Sequence, residues 1–278
     1  MAPTFAMPNT IHSVDSSDSR KIEYLSQPTT VSMADRWFEI ASVDHFWVRR
    51  RFAVLERLTG EMIPAAKELA EIGCGHGLLQ RQIEDRYGKD VAGFDLNDYA
   101  LKKNVSRRSK VCCYDICQRE PSLRERFDII FIFDVLEHLE EEKRFLQAVL
   151  FHLAPGGILV VNVPAGKWAF SAYDKAAGHV RRYSKKTLAE TANRNGLELA
   201  EWTYWGFPLI PTLAVRKLWL AGKQDQSKII SMGFASGSTV VNGLLGFVSR
   251  CELLPQKLMG TSLMAVFQRQ ADSHQQRS

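Results

Sequence analysis

The apolar positions of this chain change their period along its length. Between Ser32 and Lys67 they recur at intervals of three and four, as at Trp37, Ile40, Ala41, Trp47, Val54 and Leu58, which predicts helix. From Glu68 onward, short apolar runs alternate with helical patterns. The runs at 68–73, 91–96, 111–115, 127–134 and 157–163 predict strands. The last two are apolar almost throughout, as expected when both faces of a sheet are covered. Helices are predicted over 78–87, 99–107, 140–153 and 184–195, with Ser184 as an N-cap. Residues 197–204 and 263–270 read as late strands. Strand and helix alternating at this spacing mean βαβ units on a parallel sheet.

These patterns divide the chain. Residues 1–30 are rich in Ser, Pro, Thr and Asp, show no period, and read as a mobile arm. Residues 31–67 form a helical cap, and 68–206 with 263–270 form the sheet domain. Residues 207–262 are a helical insertion before the last strand, and 271–278 are a tail. The expected fold class is α/β: a doubly wound, Rossmann-like sheet of seven strands with N-terminal helices.

Composition narrows the class without naming a function. With 278 residues, 45% hydrophobic and 24% charged, the chain can bury a large core, which excludes a disordered chain, a collagen and a coiled coil. The net charge is +5, and segment 207–262 holds +4 of it, from six basic residues against Asp225 and Glu252. That points to an anionic partner there, a phosphate or an acidic membrane surface, with a solvated basic face as the alternative. The 21 uncharged residues from Ile229 to Ser249 include only 11 apolar ones, so no transmembrane helix is expected. Residues 1–30 lack an apolar core behind a basic start, so no secretory signal is expected either. Cys74, Cys112, Cys113, Cys117 and Cys251 show no C-x-x-C spacing and read as reduced thiols in a cytoplasmic protein. No basic stripe or reading motif suggests a nucleic acid partner.

The most informative stretch is Glu71-Ile-Gly-Cys-Gly-His-Gly77, which follows a strand and opens a helix. Glycine there lets the backbone turn tightly and bring main-chain N–H groups against a ligand. A dinucleotide fingerprint counted from Gly73 would need glycine at 78, where the chain has Leu78, which disfavours NAD. Asp95 ends the second strand, 20 residues after Gly75, where a carboxylate can accept from both hydroxyls of a ribose. Asp115 ends the third strand, within reach of an adenine amino group. Each acid alone reads more readily as a helix N-cap or a solvated strand end. At successive strand ends beside the glycine loop, together they outline one crevice.

On these residues the chain resembles the class I S-adenosylmethionine-dependent methyltransferases, from about Trp37 to Arg269. Phe133-Asp-Val-Leu-Glu-His-Leu139 and Ala154-Pro-Gly-Gly157 match further motifs of that family. The resemblance implies that Glu71, Gly73, Cys74, Gly75 and Gly77 hold the methionine half of the cofactor. It implies ribose at Asp95 and Leu96, adenine at Asp115 and Ile116, and backbone near Asp134 facing the cofactor. It also matches Arg51 to a basic position that pairs with the cofactor's carboxylate; alone, Arg51 is one of three adjacent arginines. The product would be S-adenosylhomocysteine. His45-Phe-Trp-Val-Arg-Arg-Arg51 and Gly178-His-Val-Arg-Arg-Tyr-Ser184 are similar to elements of a bacterial, type-11-like subgroup linked to glycan, lipid or secondary-metabolite modification.

Transfer to a hydroxyl needs a base. His179 follows strand five, where a loop would cover the methyl-transfer pocket. An imidazole suits a base near neutral pH, and Asp174 could orient it. The alternative is that His179, Arg181, Arg182 and Tyr183 only anchor the loop. Arg182 reads as a clamp for a substrate phosphate or carboxylate, with Tyr183 beside it. His138 is a second candidate for catalysis. Some methyltransferases with Glu-x-x-Glu-His at that place hold a divalent metal, but this chain departs from the form at Asp134, and no metal is expected. Trp47 reads as substrate stacking or as packing. The expected activity is methyl transfer to a small-molecule or lipid- or glycan-linked acceptor, most simply at a hydroxyl oxygen, with peripheral membrane contact through 207–262. Carbon or nitrogen transfer, and a non-catalytic cofactor-binding subunit, are the alternatives.

Overall fold

Alternate residues of the central strands point to opposite faces of one sheet, and helices cover both. The computed structural model describes residues 22–29, 36–220, 225, 229 and 239–270. Its strands are β1 (Glu23–Tyr24), β2 (Leu69–Ile72), β3 (Ala92–Asp95), β4 (Val111–Cys113), β5 (Phe127–Phe133), β6 (Leu153–Pro164), β7 (Leu197–Trp205) and β8 (Ser262–Arg269). They lie in the order β1-β4-β3-β2-β5-β6-β8-β7. All neighbours pair in parallel except β8, which runs antiparallel between β6 and β7.

The helices are α1 (Arg36–Ile40), α2 (Phe46–Thr59), α3 (Met62–Ala65), α4 (Leu78–Tyr87), α5 (Asp98–Lys102), α6 (Glu142–His152), α7 (Ala172–Ala176) and α8 (Lys185–Asn193). Between β7 and β8 come α9 (Ile210–Leu220) and α10 (Thr239–Arg250). On β5, Ile130 and Ile132 pack under α6 and α8, while Ile129, Phe131 and Phe133 pack under α2 and α4. That two-sided burial explains the nearly continuous apolar run.

The structure corrects the sequence reading at several points. The sheet has eight strands, not seven. The additional one, β1, lies inside the segment read as a mobile arm. It left no pattern because its two residues are exposed and its hold is backbone pairing, extended by Leu25 N and Ser26 N donating to Cys113 O. The rest of the arm, residues 30–35, the tail and most of 221–238 lie outside the described residues. The cap is three helices: the chain breaks before α2, where His45 Nδ1 accepts from Trp47 N at 3.3 Å. The turn at 154–157 sits inside β6 as a bulge, since pairing steps from Phe127↔Leu153 to Ile129↔Ile158. Ser184 caps α8 as expected, in a reciprocal pair with Thr187.

Candidate functional site

The carboxyl ends of β2, β3, β4 and β5 open onto one crevice of about 620 Å³. Its floor is the glycine loop. Gly73, Gly75 and Gly77 have φ of +76°, +53° and +78°, backbone that favours glycine. A Cβ at Gly73 would overlap the Val135 side chain, and one at Gly75 would press on the Phe38 ring at 3.0 Å. Gly77 is different. It is not on the crevice wall, and a Cβ there would meet the Asn104 amide at 2.5 Å. Its glycine serves the packing of α4, which corrects its reading as a ligand contact.

Asp95 accepts from Gly75 N at 2.7 Å and Asn97 N at 2.8 Å, so one carboxylate ties the loop to the end of β3. Burial nonetheless raises its pKa above the ordinary aspartate value. Asp115 accepts from Cys117 N at 2.9 Å and starts the turn Ile116–Gln118, while also lining the crevice with Leu96 and Ile116. The N-cap reading and the crevice reading therefore hold together for Asp115. Glu71 and Cys74 line the crevice too. Glu71 is 3% exposed, and its Oε2 has no hydrogen-bond partner. Burial, partly opposed by the Arg51 charge and reinforced by Asp95, pushes its pKa up to about 8.

A buried chain of polar groups braces one side of the crevice. Arg51 Nη1 pairs with Asp134 Oδ2 at 2.6 Å, Asn162 Nδ2 donates to Asp134 Oδ1 at 2.8 Å, and Trp205 Nε1 donates to Asn162 Oδ1 at 2.9 Å. Arg51 also lies 4.9 Å over the Trp47 ring and 5.0 Å over the Phe133 ring. Its charge is thus already matched within the chain. Trp47 itself packs on Trp205 at 5.4 Å and is absent from the crevice wall, so it is a packing residue. Trp37 and Phe38 line the crevice in its place. Asn162 was missed, although a lone amide inside the apolar run 157–163 was a legible signal.

The loop from β6 to α8 packs behind His138 and contributes no residue to the crevice lining. His179 Nδ1 lies 3.0 Å from Asp174 Oδ1, and Arg182 Nε donates to the same oxygen at 2.7 Å. Asp174 Oδ2 accepts from Ser171 N at 2.8 Å and Ser171 Oγ at 3.0 Å. Burial favours protonation of Asp174, but the bonds from His179 and the Arg182 charge outweigh it and hold the carboxyl well below its usual range. The rings of His179 and His138 meet edge to face at 4.9 Å, and His138 lines the crevice. Burial, then the nearby His179, lowers the His138 pKa to about 4.

Two predicted substrate contacts are corrected here. Arg182 is buried and also donates to Ala165 O at 3.1 Å, so it holds Asp174 and cannot reach a ligand in the crevice. Tyr183 is 2% exposed, and its hydroxyl donates to Leu136 O at 3.1 Å and to the Glu142 carboxylate. It belongs to the core.

Glu137, within the stretch Phe133–Leu139, joins this cluster. It is 0% exposed, neither carboxylate oxygen has a hydrogen-bond partner, and Oε1 lies 3.9 Å from His179 Nε2. Burial, then the Asp134 charge, raises its pKa well above the ordinary value.

A family model described as a methyltransferase domain matches residues 43–201. A ubiquinone biosynthesis O-methyltransferase of Nitrobacter winogradskyi is 30% identical over 154 residues, 49% of this chain and 59% of that protein. The chain therefore spans less than two thirds of that relative. Among solved structures, the cyclase SpnF superposes with a TM-score of 0.53 at 16% identity, over 81% of this chain and 83% of that one. Phosphoethanolamine N-methyltransferase 2 of Haemonchus contortus, crystallised with S-adenosyl-L-methionine, gives 0.51 at 18% identity, over 81% of this chain and 53% of that one. These two likenesses establish the fold alone.

Proposed function

The chain belongs to the methyltransferase-domain family, and from that premise we propose that it transfers a methyl group from S-adenosyl-L-methionine to a hydroxyl oxygen of a small or lipid-linked acceptor. The observation that carries this reading is the crevice itself: strand-end acids on a glycine floor, with His138 on its lining and His179, held by Asp174, against the His138 ring. The residues fit the cofactor. Glu71 Oε2, buried and without a partner, suits the cofactor's amino group. Asp95 stands where ribose hydroxyls would donate, and Asp115, Leu96 and Ile116 frame the place for adenine. The loop that Gly73 and Gly75 hold open leaves room for the methionine end.

When bound, S-adenosylmethionine supplies a methyl group already activated on a sulfonium. His179 does the remaining work. Its Nδ1–H donates to Asp174, which leaves Nε2 to take the proton of an acceptor hydroxyl. Asp174, kept ionised by its partners, stabilises the imidazolium that results. Arg182 is a positioning residue that fixes Asp174.

The test is calorimetry followed by turnover. S-adenosylmethionine or its demethylated product should bind, and NAD should not. His179→Ala should lower turnover about 10²- to 10⁴-fold while leaving cofactor affinity unchanged. Unchanged turnover would reduce His179 to a loop anchor.

One observation favours a second reading of the same cluster. The donor atoms of Glu137, His138 and His179 all lie within 4.8 Å of one another, a set of two imidazoles and a carboxylate that suits a divalent transition metal. Turnover abolished by a chelator and restored by zinc would select this reading over the proton relay.

A further inference from the structure

Helix α10 is packed inside out. Its buried residues are Gly246 and Ser249. Asn242 stands on the same inner side, its Oδ1 accepting from Phe46 N at 2.8 Å and its Nδ2 donating to Asp44 O at 3.2 Å. Gly246 lets the helix approach α2 closely, since a Cβ there would lie 3.6 Å from Phe46 Cβ. The large apolar residues face outward: Val240 is 79% exposed, Leu244 60% and Phe247 68%. These positions are spaced four and three apart, one stripe of the helix. A helix that serves only the fold turns its apolar stripe inward.

Helix α9 repeats the arrangement, with Leu218 79% exposed and Trp219 55%. Both helices pack against the turn Phe207–Leu209, which follows the end of β7, so they share one end of the molecule. That end also carries the His179 loop, because α9 lies on α7 and Arg216 sits 4.2 Å over the Tyr173 ring, next to Asp174. Exposed apolar patches of this kind mark interaction sites.

Charge decides the partner. In 207–220 and 239–262 the exposed basic residues are Lys217 and Arg250, with Lys257 paired to Glu201 at 2.6 Å and Arg216 packed over the Tyr173 ring, and the one carboxylate, Glu252, is buried on Gly206 N and Phe207 N. Two copies joined through this face would bring like charges together. An anionic bilayer offers the opposite charge and an apolar interior. A 12-residue helix spans only about 18 Å, too short to cross, and no helix among the described residues is long and apolar enough to do so. Such a helix lies in the interface plane.

We propose that α9 and α10 dock the chain on an anionic lipid surface, with the His179 loop turned toward the bilayer. The docking stands on exposure and charge alone. Only its link to the acceptor, which would then partition from the membrane, rests on the proposed methyl transfer.

The test uses the full chain and sedimentation with vesicles. It should pellet with phosphatidylcholine vesicles that contain phosphatidylglycerol, and about tenfold less with phosphatidylcholine alone or in high salt. Leu244→Asp with Phe247→Asp changes exposed positions and should reduce binding about tenfold or more, with cofactor affinity unchanged. Absence of vesicle binding, or binding that these substitutions leave intact, would overturn the proposal. A dimer in analytical ultracentrifugation that the same substitutions dissolve, without vesicle binding, would assign the face to a second copy. Loss of the methyltransferase reading would appear separately, as failure to bind S-adenosylmethionine while vesicle binding persists.

Discussion

The crevice and the His179 loop behind His138 are built on different principles. The glycine-loop wall is made by strand ends and main chain: Asp95 reaches backbone N–H groups at 75 and 97, and Asp115 reaches the one at 117. Each of its groups lies within a residue or two of an element boundary. The His179 loop is made by side chains that hold one another. One Asp174 oxygen serves both His179 and Arg182, the other serves Ser171, and Glu137 is closed in beside them. A wall of main chain keeps its shape when a side chain changes. A loop of coupled buried charges does not, because each group depends on another for compensation.

That contrast can be broken most severely at Asp174. Asp174→Ala would leave Arg182 buried without its carboxylate and should cost about 3–5 kcal/mol of stability in denaturant unfolding. The sign with pH follows from the depressed pKa. The stabilisation is complete above the ordinary aspartate value and is lost as pH falls through the lower folded value, and the variant should lack that acid loss. A variant as stable as the parent would mean that the loop is not a coupled unit.

Next in size is Asp95→Ala, which removes the acceptor for Gly75 N and the expected ribose contacts. Cofactor affinity should fall about 100-fold by calorimetry, each hydrogen bond to a charged group contributing about 1.5–3 kcal/mol. Unaltered affinity would place the ligand elsewhere.

Tyr183→Phe sharpens the comparison from the core side. Losing the bonds to Leu136 O and the Glu142 carboxylate should cost about 1.5–3 kcal/mol of stability, with cofactor affinity unchanged. A selective effect on acceptor KM would restore it to the substrate site.

The smallest effect is a pH slope. With its pKa near 8, Glu71 binds a proton in the folded chain that the unfolded chain releases above about 4.5. Stability without cofactor should therefore decline as pH rises through that window. To pair with an amino group Glu71 must lose the proton, so cofactor affinity should rise with pH up to about 8, by at most about 1.4 kcal/mol per pH unit. Glu71→Gln should flatten the slope, and a slope that survives it belongs to another group.

The main-chain wall was the legible one. Apolar runs located the strands, and glycines at 73 and 75 marked a turn with positive φ beside a ligand-sized opening. Strand ends followed from there, and with them Asp95 and Asp115. Even so, Gly77 looked identical in sequence and serves only packing against Asn104. The coupled loop was legible in its residue types but not in their directions. His179 and Asp174 were paired correctly from proximity in the loop. Arg182 and Tyr183, three and four residues past His179, turn into the interior, and no local pattern states that.

The amino-acid sequence by itself determined the sheet, its glycine floor and the acids at its strand ends, because periodicity and backbone conformation are local properties of neighbouring residues. Tertiary structure decided the rest. It selected Trp37 and Phe38 over Trp47 for the crevice, enclosed Glu137 beside His179, joined Arg51 to Asp134 across 83 positions and turned the apolar stripe of α10 outward. Those outcomes depend on which elements meet in space, and burial, charge compensation and exposure exist only after they have met.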